Sequence, residues 1–340
     1  MRIEKNFSLK DHNTFHLPVR TRWFMEYDNE DELGRILRDE YFQELRSLHI
    51  GAGSNLLFVA DFNGIIVHSR IRGIRVARET DTEVILRIGA AEPWDDVVRY
   101  AVSRGWGGIE NLSHIPGEAG AAAVQNIGAY GVEAGERIDS VAAIHLQTGE
   151  RRRFTAAECA FGYRQSFFKT PAGRDWLILS VRLRLSRTFV PRLDYAELRT
   201  ALAMPGLTAV QVADTVEAIR RSKLPDPAVL GNAGSFFHNP VVDGETVERL
   251  RRLHPGLPAH PAAGDDTPAN FKLSAGWLID ACGWKGHREG DAGVSPRHAL
   301  VLVNYGEATG RDILHLARRI QDSVQERFGV QLRPEPVVIL

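Results

Sequence analysis

Residues 115–131 carry the sequence IPGEAGAAAVQNIGAYG, a long run in which small residues predominate. We predict a loop here, because few purely structural roles require so many small residues in succession. Glycine leaves neighbouring backbone amides unobstructed, Gln125 and Asn126 add amide side chains, and Tyr130 adds a planar ring. A flat cofactor that carries a pyrophosphate would use all three features. The run therefore predicts a cofactor-binding segment.

The sequence on either side of this run mixes strand and helix patterns. Alternating apolar residues predict a strand over 83–89, and Pro93 is suited to the first position of a helix. Further strands are predicted over 140–146 and 176–185, and an amphipathic pattern predicts a long helix over 311–328. The two prolines of the KLPDP segment, residues 223–227, are typical of a domain boundary. The pattern indicates an α+β protein.

A second small-residue segment is GAGSN, residues 51–55, which follows a predicted strand over 45–50. Its amides could converge on an anion, although a plain tight turn explains the sequence equally well. It is not the dinucleotide fingerprint, because no third glycine is correctly placed. It also lacks the Gly-Lys-Ser/Thr ending of a nucleoside-triphosphate P-loop.

The third segment, GNAGSFFHNP at residues 231–240, places one hydroxyl, Ser235, among small residues and before two aromatic rings. Gly231 and Gly234 are expected to allow positive φ, and Phe236 and Phe237 could exclude water from whatever Ser235 faces. Taken alone, the segment is more typical of a glycine-rich turn before a buried strand. A functional interpretation is favoured only when this segment is considered together with the other segments described here.

Two charged residues stand in unusual surroundings. Arg164 lies in FGYRQSF, where its forked donors could hold a carboxylate through two hydrogen bonds, or could simply stack on aromatic rings. Glu335 lies between two prolines that favour extended backbone and would present its carboxylate in one direction on the last strand, although taken alone the segment is more typical of an edge-strand cap. The histidines show no metal-ligand spacing, so we predict no metal site.

Composition narrows the class of protein. The chain has 340 residues, 44% of them hydrophobic, which suggests two or three domains. Its 42 basic and 43 acidic residues create no overall field that would favour nucleic acid or an anionic membrane. Two cysteines fit a reducing compartment, and no signal peptide or membrane span is evident. We expect a cytoplasmic protein.

Together these segments resemble the UDP-N-acetylenolpyruvoylglucosamine reductase family, flavoenzymes that complete UDP-N-acetylmuramic acid for bacterial peptidoglycan. The resemblance runs in matching order and spacing through NTF at residue 13, GAGSN, IPG, QNIGAYG, FGYRQSFFK, LDYAEL, KLPDP, GNAGSFFHNP, AGWLID and PEP at residue 334. Tyr195 in LDYAEL is similar to the loop tyrosine of the family's first type, which folds over the substrate.

The resemblance implies an α+β fold of three domains. Residues 1–72 and 73–222 would form an FAD-binding unit similar to vanillyl-alcohol-oxidase-like flavoproteins, to which a final strand over 330–340 returns. Residues 223–329 would form the substrate-binding domain. NADPH would reduce the FAD, and UDP-N-acetylglucosamine enolpyruvate would be the substrate. We expect a monomer with no nucleic-acid or membrane partner.

The same resemblance assigns site residues one by one. Those implied to bind FAD are Gly51, Ala52, Gly53, Ser54, Asn55, Ile115, Pro116, Gly117, Gly120, Ala121, Ala122, Gln125, Asn126, Gly128, Ala129 and Tyr130. Those implied to bind substrate are Tyr163, Tyr195, Lys223 and Asn239, and those implied to be catalytic are Arg164, Ser235 and Glu335. Residues 120–123, GAAA, depart from a more hydroxyl-rich version of the family, and His114 replaces an expected apolar residue.

The implied chemistry fits these residue types. Negative charge that develops on the substrate carboxylate would be stabilised by Arg164 and by a protonated Glu335, and Ser235 would donate a proton to carbon. Three alternatives stay open: an FAD-dependent alcohol or sugar oxidase of the same fold, a serine hydrolase, and a non-catalytic nucleotide-binding protein. Ser235 lacks the Gly-x-Ser-x-Gly context of a hydrolase.

Overall fold

The computed structural model describes residues 1–262 and 270–340. Over these residues the chain forms two compact units. The first unit comprises Met1–Phe7, Thr21–Ala52 and Asn63–Arg220, and the second comprises Ser8–Arg20, Gly53–Phe62 and Arg221–Leu340. The mixture of helices and sheets in both units confirms the predicted α+β class.

The helices of the described residues are α1 Glu30–Arg38, α2 Glu40–Gln43, α3 Trp94–Val102, α4 Ala119–Gln125, α5 Ala196–Ala201, α6 Ala209–Lys223, α7 Gly244–Leu253, α8 Ala275–Ala281 and α9 Gly310–Phe328. The strands are β1 Arg2–Ser8, β2 Arg20–Tyr27, β3 Ser47–Ile50, β4 Leu56–Phe58, β5 Phe62–Ser69, β6 Ile74–Glu79, β7 Glu83–Gly89, β8 Gly128–Ala129, β9 Val132–Glu133, β10 Ile138–His145, β11 Arg151–Thr155, β12 Trp176–Ser186, β13 Gly231–Asn232, β14 Val241–Asp243, β15 Ala259–Pro261, β16 Asn270–Leu273, β17 Arg288–Glu289, β18 Ala292–Val294, β19 Leu302–Asn304 and β20 Val337–Ile339.

Two sheets organise the first unit. One has the order β1-β2-β5-β3, and the other has the order β11-β10-β12-β7-β6 with antiparallel neighbours throughout. The predicted strand over 83–89 is confirmed as β7, whose Val84, Leu86 and Ile88 are all fully buried. The second sheet thus presents one alternate set of side chains to a core, as an antiparallel sheet covered on that face should.

The small-residue run at 115–131 is not a continuous loop, because residues 119–125 form α4. Alanine has the highest helix propensity, and the small side chains let the helix approach the sheet closely. The amide of Gly120 donates to the carbonyl of Ala90 at 2.9 Å, and a Cβ on Gly120 would lie 3.0 Å from the Cβ of Ala90. Part of this run is therefore small for packing reasons, and the loop prediction was wrong for α4.

The second unit contains a sheet of order β13-β19-β18-β17 and a smaller sheet of order β14-β16-β15. Helix α9 begins with a capping box between Thr309 and Asp312 and ends at Gly329, whose φ of 67° suits glycine. Its fully buried Ile313, Leu316 and Ile320 lie on one face. The predicted helix over 311–328 is confirmed with a one-residue difference at its start.

Membrane-spanning character is not seen in the described residues, where every helix is too short or too polar to cross a bilayer. Across 1–262 and 270–340, no group of three or more His, Cys, Asp or Glu side chains is arranged to hold a metal ion.

The start of α9 provides a test of close packing in the second unit. A Cβ on Gly310 would lie 1.8 Å from the carbonyl oxygen of Phe58, whereas Gly256 is exposed and its Cβ would meet no atom within 4 Å. We expect Gly310→Ala to cost about 1–3 kcal/mol or more through overpacking. Gly256→Ala should change the free energy of unfolding by less than about 0.5 kcal/mol. Thermal unfolding of the two variants measures the difference, and equal midpoints would contradict the packing.

Candidate active site

The C-terminal segment of the second unit lies beside the loop that carries Ser235. The amide of Glu335 donates to the carbonyl of Phe236 at 2.9 Å, and the amide of His238 donates to the carbonyl of Arg333 at 3.0 Å. Phe237 and Pro334 form the antiparallel bridge between these hydrogen bonds. Ser235 and Glu335, which are 100 positions apart in sequence, are therefore carried by neighbouring backbone segments.

The same C-terminal segment also pairs with the end of GAGSN. Strand β20 is parallel to β4, with Val337 opposite Leu56, and the amide of Val337 donates to the carbonyl of Asn55 at 2.9 Å. The side-chain amide of Asn55 donates to the carbonyl of Glu335 at 3.3 Å. Glu335 is thus held between two of the segments that the sequence singled out. It precedes β20 by two residues, so its placement on the last strand was wrong.

The carboxylate of Glu335 is largely buried and lies near an imidazole. Its Oε2 is 3.7 Å from Nδ1 of His238, and its side chain is 14% exposed. His238 was not among the site residues predicted from the sequence. Its position three residues after Ser235 was the one signal that could have placed it in this site. A carboxylate, an imidazole and a hydroxyl are therefore available from one pair of backbone segments.

The conformation of the Ser235 loop depends on the two buried aromatic rings that follow it and on its glycines. Ser235 is half-buried, whereas Phe236 and Phe237 are fully buried with their ring centroids 5.2 Å apart. Gly234 has the expected positive φ, at 69°, but Gly231 does not and lies in β13 instead. A Cβ on Gly231 would lie 2.5 Å from the carbonyl oxygen of Phe15, so glycine is required there by close backbone approach.

Arg164 occupies a strained turn of the first unit and contacts the predicted cofactor segment. Its φ is 54°, which is uncommon for a residue other than glycine. Its guanidinium donates to the carbonyl of Gly128 at 3.0 Å and to that of Asn126 at 3.4 Å. The ring of Tyr163 lies 5.4 Å from the guanidinium carbon. The structure thus brings FGYRQ and QNIGAYG together around the guanidinium of Arg164.

Asn126 connects these segments through its buried side chain. Its Nδ2 donates to the carbonyl of Gly162 and to Glu133 Oε2, both at 2.8 Å, while its Oδ1 accepts from the amide of Gly135 at 2.7 Å. It also ends α4 with a φ of 48°, a conformation that asparagine tolerates better than most residues. Both side-chain N–H donors of Asn126 and one lone pair of its Oδ1 are therefore used within the protein.

Tyr130 and Tyr195 form an aromatic pair in the first unit, with ring centroids 5.3 Å apart and an edge-on orientation. Burial raises the pKa of Tyr130 to about 12, so its hydroxyl stays protonated and can donate a hydrogen bond. Arg220 lies close enough for its charge to oppose that shift, and burial lowers the pKa of Arg220 itself. Its Nε donates to the carbonyl of His114 at 3.0 Å. Arg220 was not among the predicted site residues, because it is one of two adjacent arginines before KLPDP and nothing in its local sequence distinguishes it.

The remaining residues of the predicted FAD set lie at three places. Gly51 and Ala52 end the part of the first unit that precedes β4, and Gly53, Ser54 and Asn55 open a segment of the second unit. Gly53 has a φ of 67°, and a Cβ there would lie 2.1 Å from the carbonyl oxygen of His12, so this glycine too is required by packing. The members before, in and after α4 are Ile115, Pro116, Gly117, Gly120, Ala121, Ala122, Gln125, Gly128 and Ala129.

Two residues predicted to bind substrate lie in the second unit. Lys223 ends α6, directly before the two prolines of KLPDP. Asn239 follows the Ser235 loop, and its Oδ1 accepts from the amide of Ala275 at 3.0 Å. Asn239 therefore fixes the start of α8 with its oxygen, while its amide nitrogen carries the donors that a diphosphate would require.

The first unit contains a polar atom suited to an external partner. Oδ1 of Asn111 is buried and has no hydrogen-bond partner within residues 1–262 and 270–340. The Nδ2 of the same side chain donates to the carbonyls of Tyr130 at 2.9 Å and Arg192 at 3.0 Å. A buried unpaired acceptor is costly, and a donor on a bound molecule would relieve that cost. The residues around Tyr130 therefore fit a polar cofactor such as FAD.

Two family models match the chain. The model for an FAD binding domain matches residues 22–155, and the model for the UDP-N-acetylenolpyruvoylglucosamine reductase C-terminal domain matches residues 226–339. The first match covers α4 and the segments around it, and the second covers both Ser235 and Glu335. Together these matches define a flavin-dependent oxidoreductase.

Full-length relatives make the assignment specific. A UDP-N-acetylenolpyruvoylglucosamine reductase of Porphyromonas gingivalis is 46% identical over 344 residues and is covered completely, as is this chain. The structure of such a reductase from Thermus caldophilus covers both chains completely with a TM-score of 0.70 and 25% identity. A 6-hydroxy-D-nicotine oxidase from Arthrobacter nicotinovorans shares the fold, with a TM-score of 0.52 at 12% identity and coverage of 97% of this chain and 86% of the oxidase. The chain belongs to the UDP-N-acetylenolpyruvoylglucosamine reductase family, as the sequence predicted.

Asn126 provides a test of the first unit. Asn126→Ala removes three hydrogen bonds and places alanine at positive φ, so we expect a loss of about 2–4 kcal/mol in stability. We also expect FAD to be released more readily, because Gly162 and Gly135 lose their shared partner. Asn63→Ala, at an exposed position of β5, is the matched control. Thermal unfolding and fluorescence of released FAD measure both effects, and identical behaviour of the two variants would contradict this role.

Proposed function

We propose that this protein reduces the enolpyruvyl ether of UDP-N-acetylglucosamine enolpyruvate to give UDP-N-acetylmuramate. NADPH would be the source of electrons, and bound FAD would pass them as hydride to the vinyl carbon of the substrate. The observation that carries the proposal is the backbone pairing of the Ser235 loop with the Glu335 segment, with Phe236 and Glu335 joined by a 2.9 Å hydrogen bond. A proton donor and an acidic partner are both needed for this reduction.

Arg164 is proposed to stabilise the negative charge that develops on the substrate. Hydride addition to the vinyl carbon delocalises charge into the adjacent carboxylate, so a fixed cation near those oxygens lowers the barrier. The guanidinium is oriented by the carbonyls of Gly128 and Asn126 and by the ring of Tyr163. These three contacts hold one face of the guanidinium and limit its rotation, which favours electrostatic preorganisation.

Ser235 is proposed to deliver the proton to the α carbon. A serine hydroxyl is a weak acid in water, so the transfer requires a strongly basic carbon and close positioning. The buried rings of Phe236 and Phe237 fix the backbone that follows Ser235 and keep water from that side. Glu335, if protonated, would hydrogen-bond the carboxylate oxygens, and the imidazole of His238 is its neighbour.

The sugar nucleotide would be held by Tyr163, Tyr195, Lys223 and Asn239. Tyr195 is 52% exposed, which leaves a large aromatic surface for a ligand to cover. Lys223 offers a positive charge to a diphosphate, and Asn239 offers its side-chain amide. FAD would be bound by the residues of GAGSN and of 115–130, with backbone amides replacing the missing hydroxyl groups of residues 120–123.

We further propose three domains, at residues 1–72, 73–222 and 223–329, with 330–340 returning to the FAD-binding part. Separate sheets in the first unit support a boundary near residue 72, since β5 ends at Ser69 and β6 begins at Ile74. Parallel pairing of β20 with β4 supports the return of the last residues to the part before residue 72. A cytoplasmic monomer stays a prediction.

Ser235→Ala tests the proton-donor role. We expect NADPH to reduce the flavin at the wild-type rate, whereas reoxidation by the enolpyruvyl substrate should slow by about 10²–10⁴. Stopped-flow absorbance of the flavin separates these half-reactions. Ser323→Ala in α9 is the matched control and should affect neither. Equal slowing of both half-reactions in Ser235→Ala would overturn the assignment.

Tyr195→Ala tests the substrate-covering role. Loss of an exposed ring from a ligand contact typically costs about 1–3 kcal/mol of binding, so KM for the UDP-sugar should rise roughly 10-fold or more. Tyr195→Phe should retain most of the affinity, because it keeps the ring. Steady-state kinetics at fixed NADPH measures KM, and an unchanged KM in both variants would remove Tyr195 from the substrate site.

A further inference from the structure

A buried histidine joins two buried carboxylates in the first unit. Nδ1 of His68 lies 3.0 Å from Oε1 of Glu26, and its Nε2 lies 3.2 Å from Oε1 of Glu118. The three side chains are only 14%, 7% and 10% exposed, respectively. They come from β5, from β2 and from the residue before α4. We call them the Glu26–His68–Glu118 chain.

Glu118 connects this chain to the proposed FAD site. It is the N-cap residue of α4, yet among the described residues its carboxylate caps no helical amide and is directed to His68 instead. Its Oε2 lies close to GAGSN, because a Cβ on Gly51 would be 2.9 Å away. One carboxylate thus lies between two segments proposed to bind FAD, and its negative charge would oppose a nearby pyrophosphate.

The two carboxylates of the Glu26–His68–Glu118 chain differ in the positively charged groups that lie near them. Near Glu26, Arg2 of β1 lies 3.5 Å away and Arg70 lies 3.7 Å away, and Arg70 also contacts Asp28 at 3.3 Å. Near Glu118, His68 is the cation that contacts the carboxylate within the described residues. A cavity of about 280 Å³ lies beside Glu26 and His68. Its lining residues are Glu26, Asp28, His68, Ser69, Arg70 and Arg72.

The other titratable neighbours stay uncharged near neutral pH. Burial lowers the pKa of His49, on the adjacent strand β3, to about 4. Burial raises the pKa of Tyr27, on β2, to about 12. For His68, burial alone would lower the pKa, but its hydrogen bonds to Glu118 and Glu26 outweigh burial and raise it. The ordinary pKa of histidine is already close to neutral, so a raised pKa lets His68 change its charge in the neutral to mildly alkaline range.

The number of N–H donors on His68 determines how the two carboxylates are affected when His68 loses its proton. A protonated imidazole has two N–H donors and serves both carboxylates, whereas a neutral imidazole has one donor. One carboxylate must then face a nitrogen lone pair. Glu26 keeps Arg2 and Arg70 as partners, so the uncompensated charge falls on Glu118.

We propose that the carboxylate of Glu118 opposes FAD binding unless protonated His68 neutralises its charge, so that FAD affinity falls when His68 loses its proton. This inference rests on the proposed binding of FAD by residues 51–55 and 115–130. Bound FAD would favour the protonated form of His68, because that form neutralises Glu118. FAD affinity is therefore highest below the raised pKa of His68 in the FAD-free protein, and it falls as pH rises through that pKa.

The test uses the FAD-loaded full-length protein, diluted over a series from about pH 6 to about pH 9. Free FAD after ultrafiltration is measured by fluorescence and gives the dissociation constant at each pH. A change of about one pKa unit on FAD binding corresponds to about tenfold in affinity, so we expect roughly tenfold weaker binding at the high end.

Two variants should make the dissociation constant for FAD independent of pH, one at the weak-binding limit and the other at the tight-binding limit. His68→Gln cannot be protonated and should bind FAD at every pH as weakly as wild type does near pH 9. Glu118→Gln removes the negative charge and should bind at every pH as tightly as wild type does near pH 6. His287→Gln, which removes an imidazole that contacts Glu289 at 2.8 Å in the second unit, should follow the wild-type profile.

A flat wild-type profile would overturn this inference, and so would an unchanged slope in Glu118→Gln. The wild-type profile decides the matter even if His68→Gln does not fold. A flat profile in a protein that reduces the enolpyruvyl substrate normally would overturn this inference and leave the proposed function in place. The expected profiles in a protein that does not reduce that substrate would support this inference and overturn the proposed function.

Discussion

The backbone pairing of residues 333–339 is the constraint on which the candidate active site depends. On one side these residues bond to the carbonyl of Phe236 and the amide of His238, and on the other they pair with Asn55 and β4. Three sequence segments that are far apart along the chain are thereby brought together within the second unit. Most of these contacts are made by main-chain groups, and the side-chain amide of Asn55 adds one more to the carbonyl of Glu335. The backbone of Glu335 is therefore fixed in position relative to the Ser235 loop.

In the first unit, main-chain carbonyl groups orient the guanidinium of Arg164. The carbonyl oxygens of Gly128 and Asn126 accept hydrogen bonds from it. The proposed role of Arg164 in stabilising an anionic transition state depends on this orientation. The turn that carries Arg164 has positive φ, and Asn126 links that turn to the end of α4. Strain and buried hydrogen bonds at this point are typical of a functional site.

Much of the fold and of the family assignment could be predicted from sequence, because the segments are distinctive in composition and order. The reasons why particular residues are required at particular positions could not be predicted from the sequence. Gly53 and Gly231 are required by carbonyl oxygens of His12 and Phe15, contacts that no local pattern reveals. From sequence, the alanines of residues 119–123 indicated an open loop, although alanine favours helix. In the structure they belong to α4, which packs against β7 and β12. The Glu26–His68–Glu118 chain carries no sequence signal, since its members lie on three separate elements.

The central claim is that this protein transfers electrons from NADPH to an enolpyruvyl double bond through FAD. The most direct test follows flavin absorbance under anaerobic conditions, first with NADPH and then with UDP-N-acetylglucosamine enolpyruvate. We expect NADPH to bleach the flavin band and the enolpyruvyl substrate to restore it, whereas UDP-N-acetylglucosamine, which lacks the double bond, should not restore it. A reduced flavin that regains its colour with oxygen but not with the enolpyruvyl substrate would contradict the central claim.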